Sequence, residues 1–372
     1  MRALIVAPKI YGPPWHDGVK NIVRRLTKDL RDRGDEVMIV SIGRAESAPN
    51  IGEFGEEIFY SIPVEDRQAK DRRLWKRLLL WWAMINLVRN ILRKKDPDVC
   101  LLLASGSLFL GPRAFIFRRL LGRRLVIYVS GLNRPAFGIN WFLGNTKIIV
   151  GSPFLLRWFP QAIVAYPLLP THLEAIEPSI DARDKSDNKP FSILYLGTSQ
   201  RERGVEYLLN GVALALKRTH RSLKLTLALN SVGNENDRRI NQLIIDFGLT
   251  DIVTVLGVVD TDKAYRDADV VVIPRQSPIR MSFPLRIIES LRYHKPLIVT
   301  SVCEMGNLIE GCGLVVNSKD PNELAQAIVD LSDDSNKYDR LSNNCPTLIQ
   351  KYESRQSLEI IYSELKSAAE GS

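Results

Sequence analysis

Short runs of Val, Ile and Leu recur along this chain, and stretches with helical spacing of apolar residues separate most of them. "ALIVAP", "EVMIVSIG", "DVCLLL", "RLVIYVSG" and "KIIVG" occupy the first half. Between them lie patterns such as "GVKNIVRRLTKDLRDRG", with apolar residues at Ile22, Val23, Leu26 and Leu30. Continuous apolar strands alternating with amphipathic helices predict a parallel sheet covered on both faces. The alternation lapses at the polar, aperiodic "EPSIDARDKSDNKP" (177–190), which places an interdomain linker at 171–190. A second series follows: "FSILYLG", "LKLTLALNS", "VTVLG", "DVVVIPR", "PLIVTS" and "GLVVN". The expected architecture is α/β, with two Rossmann-like doubly wound domains, 1–170 and 191–353, facing a cleft lined by strand C-termini and helix N-termini.

One helical pattern differs from the rest. In "RRLWKRLLLWWAMINLVRNILRKK" (72–95), Leu74, Leu78, Trp81, Met84, Ile85, Val88 and Leu92 share a broad face, opposite Lys76, Asn86, Arg89, Asn90 and Arg93. A core helix accounts for the Leu and Ile positions. It accounts less well for adjacent Trp81 and Trp82 among so many cations, a combination typical of an interfacial helix. A second basic and apolar stretch, "PRAFIFRRLLGRRL" (112–125), lies in the same domain. No window approaches the ~20 apolar residues that span a bilayer. "MRALIVAPKI" reads as a first buried strand rather than a signal peptide. The expectation is a soluble protein, or one that sits on a membrane rather than in it.

Composition narrows the function classes. With 372 residues, 45% hydrophobic and 25% charged, the chain suits two globular domains. Its net charge of +9 points to an anionic partner. Four cysteines without CxxC spacing and four unclustered histidines argue against a zinc site or a disulfide framework, and fit a reducing cytoplasm. Neither GxGxxG nor GxxxxGK[ST] follows an opening strand, which disfavours a dinucleotide-dependent dehydrogenase and a P-loop NTPase. Scattered Lys and Arg, without an aromatic RNP-like stripe, disfavour nucleic acid.

"SFPLRIIESLRYHKP" (282–296) sets a single carboxylate, Glu289, among Arg286, Arg292 and Lys295. A solvated basic helix would explain it. So would a ligand site, and the surrounding frame favours the site. The chain resembles the retaining GT-B glycosyltransferases of group 1 (family 4-like) over nearly its whole length. "LGTSQRERGVEYLL" stands in the family's G-R-L-x-x-x-K-G frame, with Gly197 ending the strand, Thr198 in the Arg place and Arg203-Gly204 in the Lys-Gly place. Phe283, Leu285, Glu289 and Pro296 fall in the E-x-F-G-L-x-x-x-E frame, and "PLRIIE" resembles a P-x-K-x-x-E variant with Arg286 in the basic place.

The resemblance implies site roles. Arg203, Arg286 and helix N-termini would hold a diphosphate, Pro284 opening one of those helices. Glu289 would accept hydrogen bonds from ribose hydroxyls. A turn at Gly257 and Val258, after "VTVL", would touch the base, and a loop feeding Gly18 would face donor phosphate and acceptor. The last helix, 354–372, would return to the first domain. Two family groups are missing: Met281 stands in place of the first Glu, and Ser130 in place of a His that contacts the donor sugar. The resemblance assigns no catalytic residue; the candidates are Ser130 and His16, the latter as a substitute for the missing His.

The implied protein is a cytoplasmic, metal-independent hexosyltransferase, without a cofactor, at the inner face of the cell membrane. It takes a nucleotide-sugar donor in the second domain and a lipid-linked or oligosaccharide acceptor in the first, with membrane contact through 72–95. The alternatives are a non-catalytic GT-B nucleotide-binding or scaffolding partner and a GT-B epimerase. The basic, Trp-rich first domain argues against the epimerase, which needs no lipid or polymer surface.

Overall fold

The computed structural model describes residues 1–7, 18–42, 59–62, 74–105, 110–132, 139–169, 189–229, 235–278 and 281–371. The chain splits into two units. The first comprises Met1–Glu174, Arg280–Phe283 and Glu353–Ser372, and the second Ala175–Ile279 and Pro284–Tyr352.

The first unit opens with β1 (Arg2–Val6), α1 (Gly18–Asp32), β2 (Glu36–Ile42) and β3 (Phe59–Ile62). It continues through α2 (Leu74–Lys95), β4 (Val99–Ser105), α3 (Leu110–Leu121), β5 (Leu125–Leu132), α4 (Ile139–Leu143), β6 (Lys147–Val150) and β7 (Ile163–Val164). These strands are parallel in the order β3-β2-β1-β4-β5-β6-β7, with Ile5 opposite both Ile39 and Leu101. β1 shows no polar alternation because Ala3 to Val6 are buried with both sheet faces covered.

Ile22, Val23, Leu26 and Leu30 of α1 pack on one face against Ile5, Val37 and Ile39. Right-handed crossovers carry α2 and α3 to the opposite face, where Trp81 meets Phe117 edge-on at 6.5 Å. The buried stripe of α2 is Met84, Ile85, Val88 and Ile91. Leu78, which the helical wheel puts on the same face, is 52% exposed instead. Among the described side chains of α2 the buried stripe runs from Met84 to Ile91. Among the described residues no helix is long and apolar enough to cross a membrane.

The second unit is built from β8 (Phe191–Gly197), α5 (Val205–Ala215), β9 (Leu223–Leu229), α6 (Glu235–Asp246), β10 (Val253–Leu256), α7 (Thr261–Asp267) and β11 (Val270–Ile273). The next piece, β12 (Met281–Ser282), pairs antiparallel with β5 and belongs to the first unit. The second unit resumes with α8 (Leu285–Arg292), β13 (Leu297–Thr300), β14 (Gly313–Val316), α9 (Pro321–Asp333) and α10 (Ser335–Gln350). Its strands are parallel in the order β10-β9-β8-β11-β13-β14 around a core that includes Phe191, Leu208, Leu225, Val270 and Ile328. The final helix, α11 (Ser354–Glu370), adds Leu358, Ile361 and Leu365 to the core of the first unit, beside Ile22 and Leu26.

The sequence pattern passes over β3, β7 and β12. They span four, two and two residues, too short for a periodic signal. Each sheet reverses its strand order at the centre, between β1 and β4 in the first and between β8 and β11 in the second. In open parallel sheets the carboxyl ends of the strands beside such a reversal form the ligand crevice.

Candidate active site

At the reversal in the second unit, β8 ends on Gly197. The Tyr195 hydroxyl folds beneath this residue and donates to the Thr198 carbonyl at 2.8 Å. A Cβ at position 197 would stand 2.5 Å from that hydroxyl, so Tyr195 itself requires glycine there. A 3-10 turn, Arg201–Arg203, then leads into Gly204, whose φ is +80°. A Cβ on Gly204 would lie 1.7 Å from the Pro274 carbonyl oxygen. Only glycine lets this loop close against the end of β11, where Gln276 N–H donates to the Glu202 carbonyl at 3.1 Å. Gly204 is also the N-cap of α5 and supplies no capping side chain, so the positive end of the helix dipole faces this loop.

Arg275 follows β11 and is 5% exposed. Its backbone is fixed at both ends: its N–H donates to the Ile273 carbonyl at 2.9 Å, and its carbonyl accepts from Thr300 Oγ1 at 2.6 Å. Burial lowers its pKa, while Cys303 and Glu202 oppose that shift. Burial likewise pushes the Tyr195 hydroxyl up to about 12, against the opposing pull of Arg286, Arg203 and Arg275. Three guanidiniums thus act on one buried hydroxyl at the sheet's carboxyl edge. Of the three, Arg275 is buried while Arg203 and Arg286 are partly exposed, so positive charge is concentrated at this edge.

Glu289 belongs to the same region. Pro284, with ψ at 104°, is the N-cap of α8, and Leu285 and Arg286 form its first turn without a side-chain cap. Glu289, half-buried on that helix, accepts a 2.6 Å hydrogen bond at Oε2 from the Tyr265 hydroxyl. Burial, reinforced by the Glu289 carboxylate, holds the Tyr265 pKa well above its ordinary value, so the hydroxyl stays a donor. The Tyr265 ring stacks on Tyr293 at 5.1 Å and 5°. Tyr293 in turn donates to Asp262 Oδ1 at 2.6 Å, and Arg266 bridges the same carboxylate at 2.9 Å. Asp260 caps α7 by accepting from the N–H groups of Asp262 and Lys263. The carboxylate that the sequence sets among cations is therefore held by a buried tyrosine. Among the described residues its Oε1 makes no hydrogen bond.

The structure gathers Gly197, Thr198, Arg203, Pro284, Leu285, Arg286 and Glu289 at the carboxyl side of one sheet. Gly257 and Val258 follow β10 at the sheet's edge, where Val258 is 92% exposed. Sequence reasoning missed Arg275 and Tyr265. The only available signals were an Arg directly after the apolar run "DVVVIP" and a Tyr within a short polar helix.

Gly18 and Ser130 belong to the first unit, Gly18 at the start of α1. Ser130 is the extra residue of a bulge: Ala104 pairs with Val129 and Ser105 with Gly131. Its hydroxyl reaches the Ala104 carbonyl at 3.4 Å. His16 lies outside the described residues. Met281 lies in β12, paired with Leu132. Among the described residues no group of three His, Cys, Asp or Glu could hold a metal ion.

Residues 190–334 match the family described as glycosyl transferases group 1. The D-inositol 3-phosphate glycosyltransferase of Paenarthrobacter aurescens is 28% identical over 187 residues, 49% of this chain and 45% of that protein. The chain thus spans less than half the length of this curated relative. Among solved structures, a glycosyltransferase from Rickettsia africae superposes with a TM-score of 0.76 at 16% identity, covering 100% of this chain and 99% of the other. Anabaena HepE, solved in complex with UDP, superposes at 0.72 with 16% identity, covering 99% and 100%. The family match lies within the second unit, and the chain has a two-domain α/β fold that matches GT-B glycosyltransferase structures.

Proposed function

We propose that this chain is a hexosyltransferase that moves a sugar from a nucleotide-diphospho-sugar to a lipid-linked or oligosaccharide acceptor at the cytoplasmic membrane face, with membrane contact through 72–95. The observation that carries the proposal is the tyrosine-held Glu289 on a helix that starts at the carboxyl side of the sheet, together with the buried Arg275 at the end of β11 and with Arg203 and Arg286, which act on the same Tyr195 hydroxyl. The arginines and the N-terminus of α5 would neutralise the diphosphate as it leaves, an electrostatic contribution that grows as charge develops. Glu289 would accept from the ribose hydroxyls through its open oxygen, while Tyr265 fixes its orientation. With cations and helix dipoles on the leaving group, transfer would proceed without a metal ion. The departing phosphate oxygen would take the acceptor proton, and the anomeric configuration would be retained.

Thermal shift against a panel of UDP-, GDP- and ADP-sugars tests the donor site, because a ligand that binds only the folded chain raises its melting temperature by mass action. Transfer with the responding donor, followed by NMR of the anomeric proton in the product, tests turnover and stereochemistry. Ser130 and Met281, which stand where the resembling family has sugar-handling groups, favour a second reading as a nucleotide-binding scaffold. A scaffold would show the thermal shift and release no nucleoside diphosphate.

A further inference from the structure

The charge of this chain is concentrated in one segment. Residues 72–173 carry 16 Lys or Arg against 2 Asp or Glu, so this segment alone exceeds the net +9 of the whole chain. α2, α3 and α4, which lie within it, contain no acidic residue.

Among the described residues of the first unit, six of the seven exposed large apolar side chains lie on these helices, Ile163 being the seventh. On α2 the outward residues begin with Leu78, Leu79 and Trp82, the last 66% exposed, and end with the exposed Arg89, Arg93, Lys94 and Lys95. α3 repeats the order, with Phe115 and Ile116 exposed first, then Arg119 and, just beyond it, Arg123. Both helices return antiparallel to the strands they join, so their apolar ends lie at the same end of the unit. Trp141 on α4 is 77% exposed. The three helices are joined: Trp81 of α2 contacts Phe117 of α3, and Arg118 Nη1 donates to the Phe142 carbonyl of α4 at 3.4 Å.

Each side chain of this size left in water forgoes ~1.5–3 kcal/mol of burial. Single exposed apolar residues are ordinary, but six on three adjoining helices are not. Nucleic acid would suit the cations and leave Leu78, Leu79 and Ile116 without a partner. Trp and Leu projecting among Lys and Arg, with no carboxylate between them, complement an anionic bilayer in both charge and polarity.

We infer that α2, α3 and α4 form one composite surface that docks the first unit on an anionic lipid bilayer. Leu78, Leu79, Trp82, Phe115, Ile116 and Trp141 enter the acyl boundary, while the arginines of α2 and α3 meet phosphate headgroups. This inference rests on the membrane part of the proposed function and extends it from 72–95 to two further helices.

Sedimentation of the full chain with vesicles of phosphatidylcholine alone, or with added phosphatidylglycerol, tests it. Binding is expected only to the anionic vesicles and should fall steeply with salt. Arg119→Gln and Arg123→Gln should each weaken it about fivefold, and Phe115→Ser and Trp141→Ser severalfold, without lowering Tm. Loss confined to α2 variants would overturn the composite surface and leave 72–95 as the docking element. Equal, negligible binding to both vesicles would overturn docking altogether, yet a donor-induced thermal shift would still support the glycosyltransferase reading. Displacement from anionic vesicles by single-stranded RNA, with no blue shift of Trp emission on vesicles, would mark a nucleic-acid surface and overturn the proposal. A Tm loss that matches the binding loss would mark the residues as packing groups and overturn it too.

Discussion

The first unit carries 30 Lys or Arg against 19 Asp or Glu, and the second carries 21 against 23, although each is built on a parallel strand series whose order reverses at the centre. In the nearly neutral second unit the informative cations point inward. Arg275 is almost fully buried, and with the partly exposed Arg203 and Arg286 it acts electrostatically on the Tyr195 hydroxyl at the sheet's carboxyl edge. In the basic first unit they lie on the outer faces of helices, beside exposed tryptophans. Net charge is therefore a poor guide to where a cation is desolvated. A desolvated guanidinium, held where water cannot screen it, interacts more strongly than several on an open surface. The same topology supports both arrangements because sites are built from strand ends and helix faces, not from the sheet itself.

The sharpest way to break this contrast is at Gly204. Gly204→Ala forces a side chain into a left-handed conformation, at ~1–2 kcal/mol, and drives the Pro274 carbonyl away from its place beneath the loop. The urea midpoint should fall and donor binding should vanish. Wild-type stability would mean the loop relaxes freely and the buried edge is not rigid.

Next, Arg203→Ala should weaken donor binding by ~1.5–3 kcal/mol, the range for hydrogen bonds to charged groups, in isothermal titration with the cognate donor. Arg119→Gln in the first unit should leave that constant unchanged. Equal effects from the two would dissolve the distinction between the units.

Glu289→Gln keeps the shape and removes the charged acceptor, so donor affinity should drop with the fold intact. Tyr265→Phe frees the carboxylate to rotate and should have a smaller effect, ~0.5–1.5 kcal/mol, because water can replace the donor at a half-buried group. If Tyr265→Phe leaves affinity unchanged while Glu289→Gln lowers it, Tyr265 serves packing alone.

The smallest effect concerns pH. His294 is buried, its Nε2 makes no hydrogen bond among the described residues, and burial, with Lys295 nearby, lowers its pKa. A base whose folded pKa is depressed contributes fully above its unfolded value of ~6.5 and loses that contribution as pH falls toward the folded pKa. Stability should therefore decline on acidification below neutrality. His294→Asn, which tolerates the observed φ of +54°, should flatten the profile, and an unchanged slope would assign the loss to other groups.

The strand and helix alternation was legible along most of the chain because a sheet covered on both faces demands continuous apolar strands, and that demand is local. The frame around Arg203, Gly204, Arg286 and Glu289 was legible for a similar reason: glycine, proline and charge have fixed local uses at strand ends and helix starts. The charge asymmetry belongs to the sequence as well, since no folding is needed to count it. Arg275 and Tyr265 were not legible. Arg275 matters only because β11 lies beside β8, with Val271 opposite Leu194, 77 positions earlier in the chain, and no local pattern records strand order. Tyr265 reaches Glu289 only because α7 and α8 pack together, and its own helix reads as polar. Leu78 and Ile85 are both large and apolar and lie seven residues apart on one helix face, yet one is exposed and the other buried. Sequence specifies how apolar a side chain is, while the packing of the folded chain around the helix decides which of them leaves water.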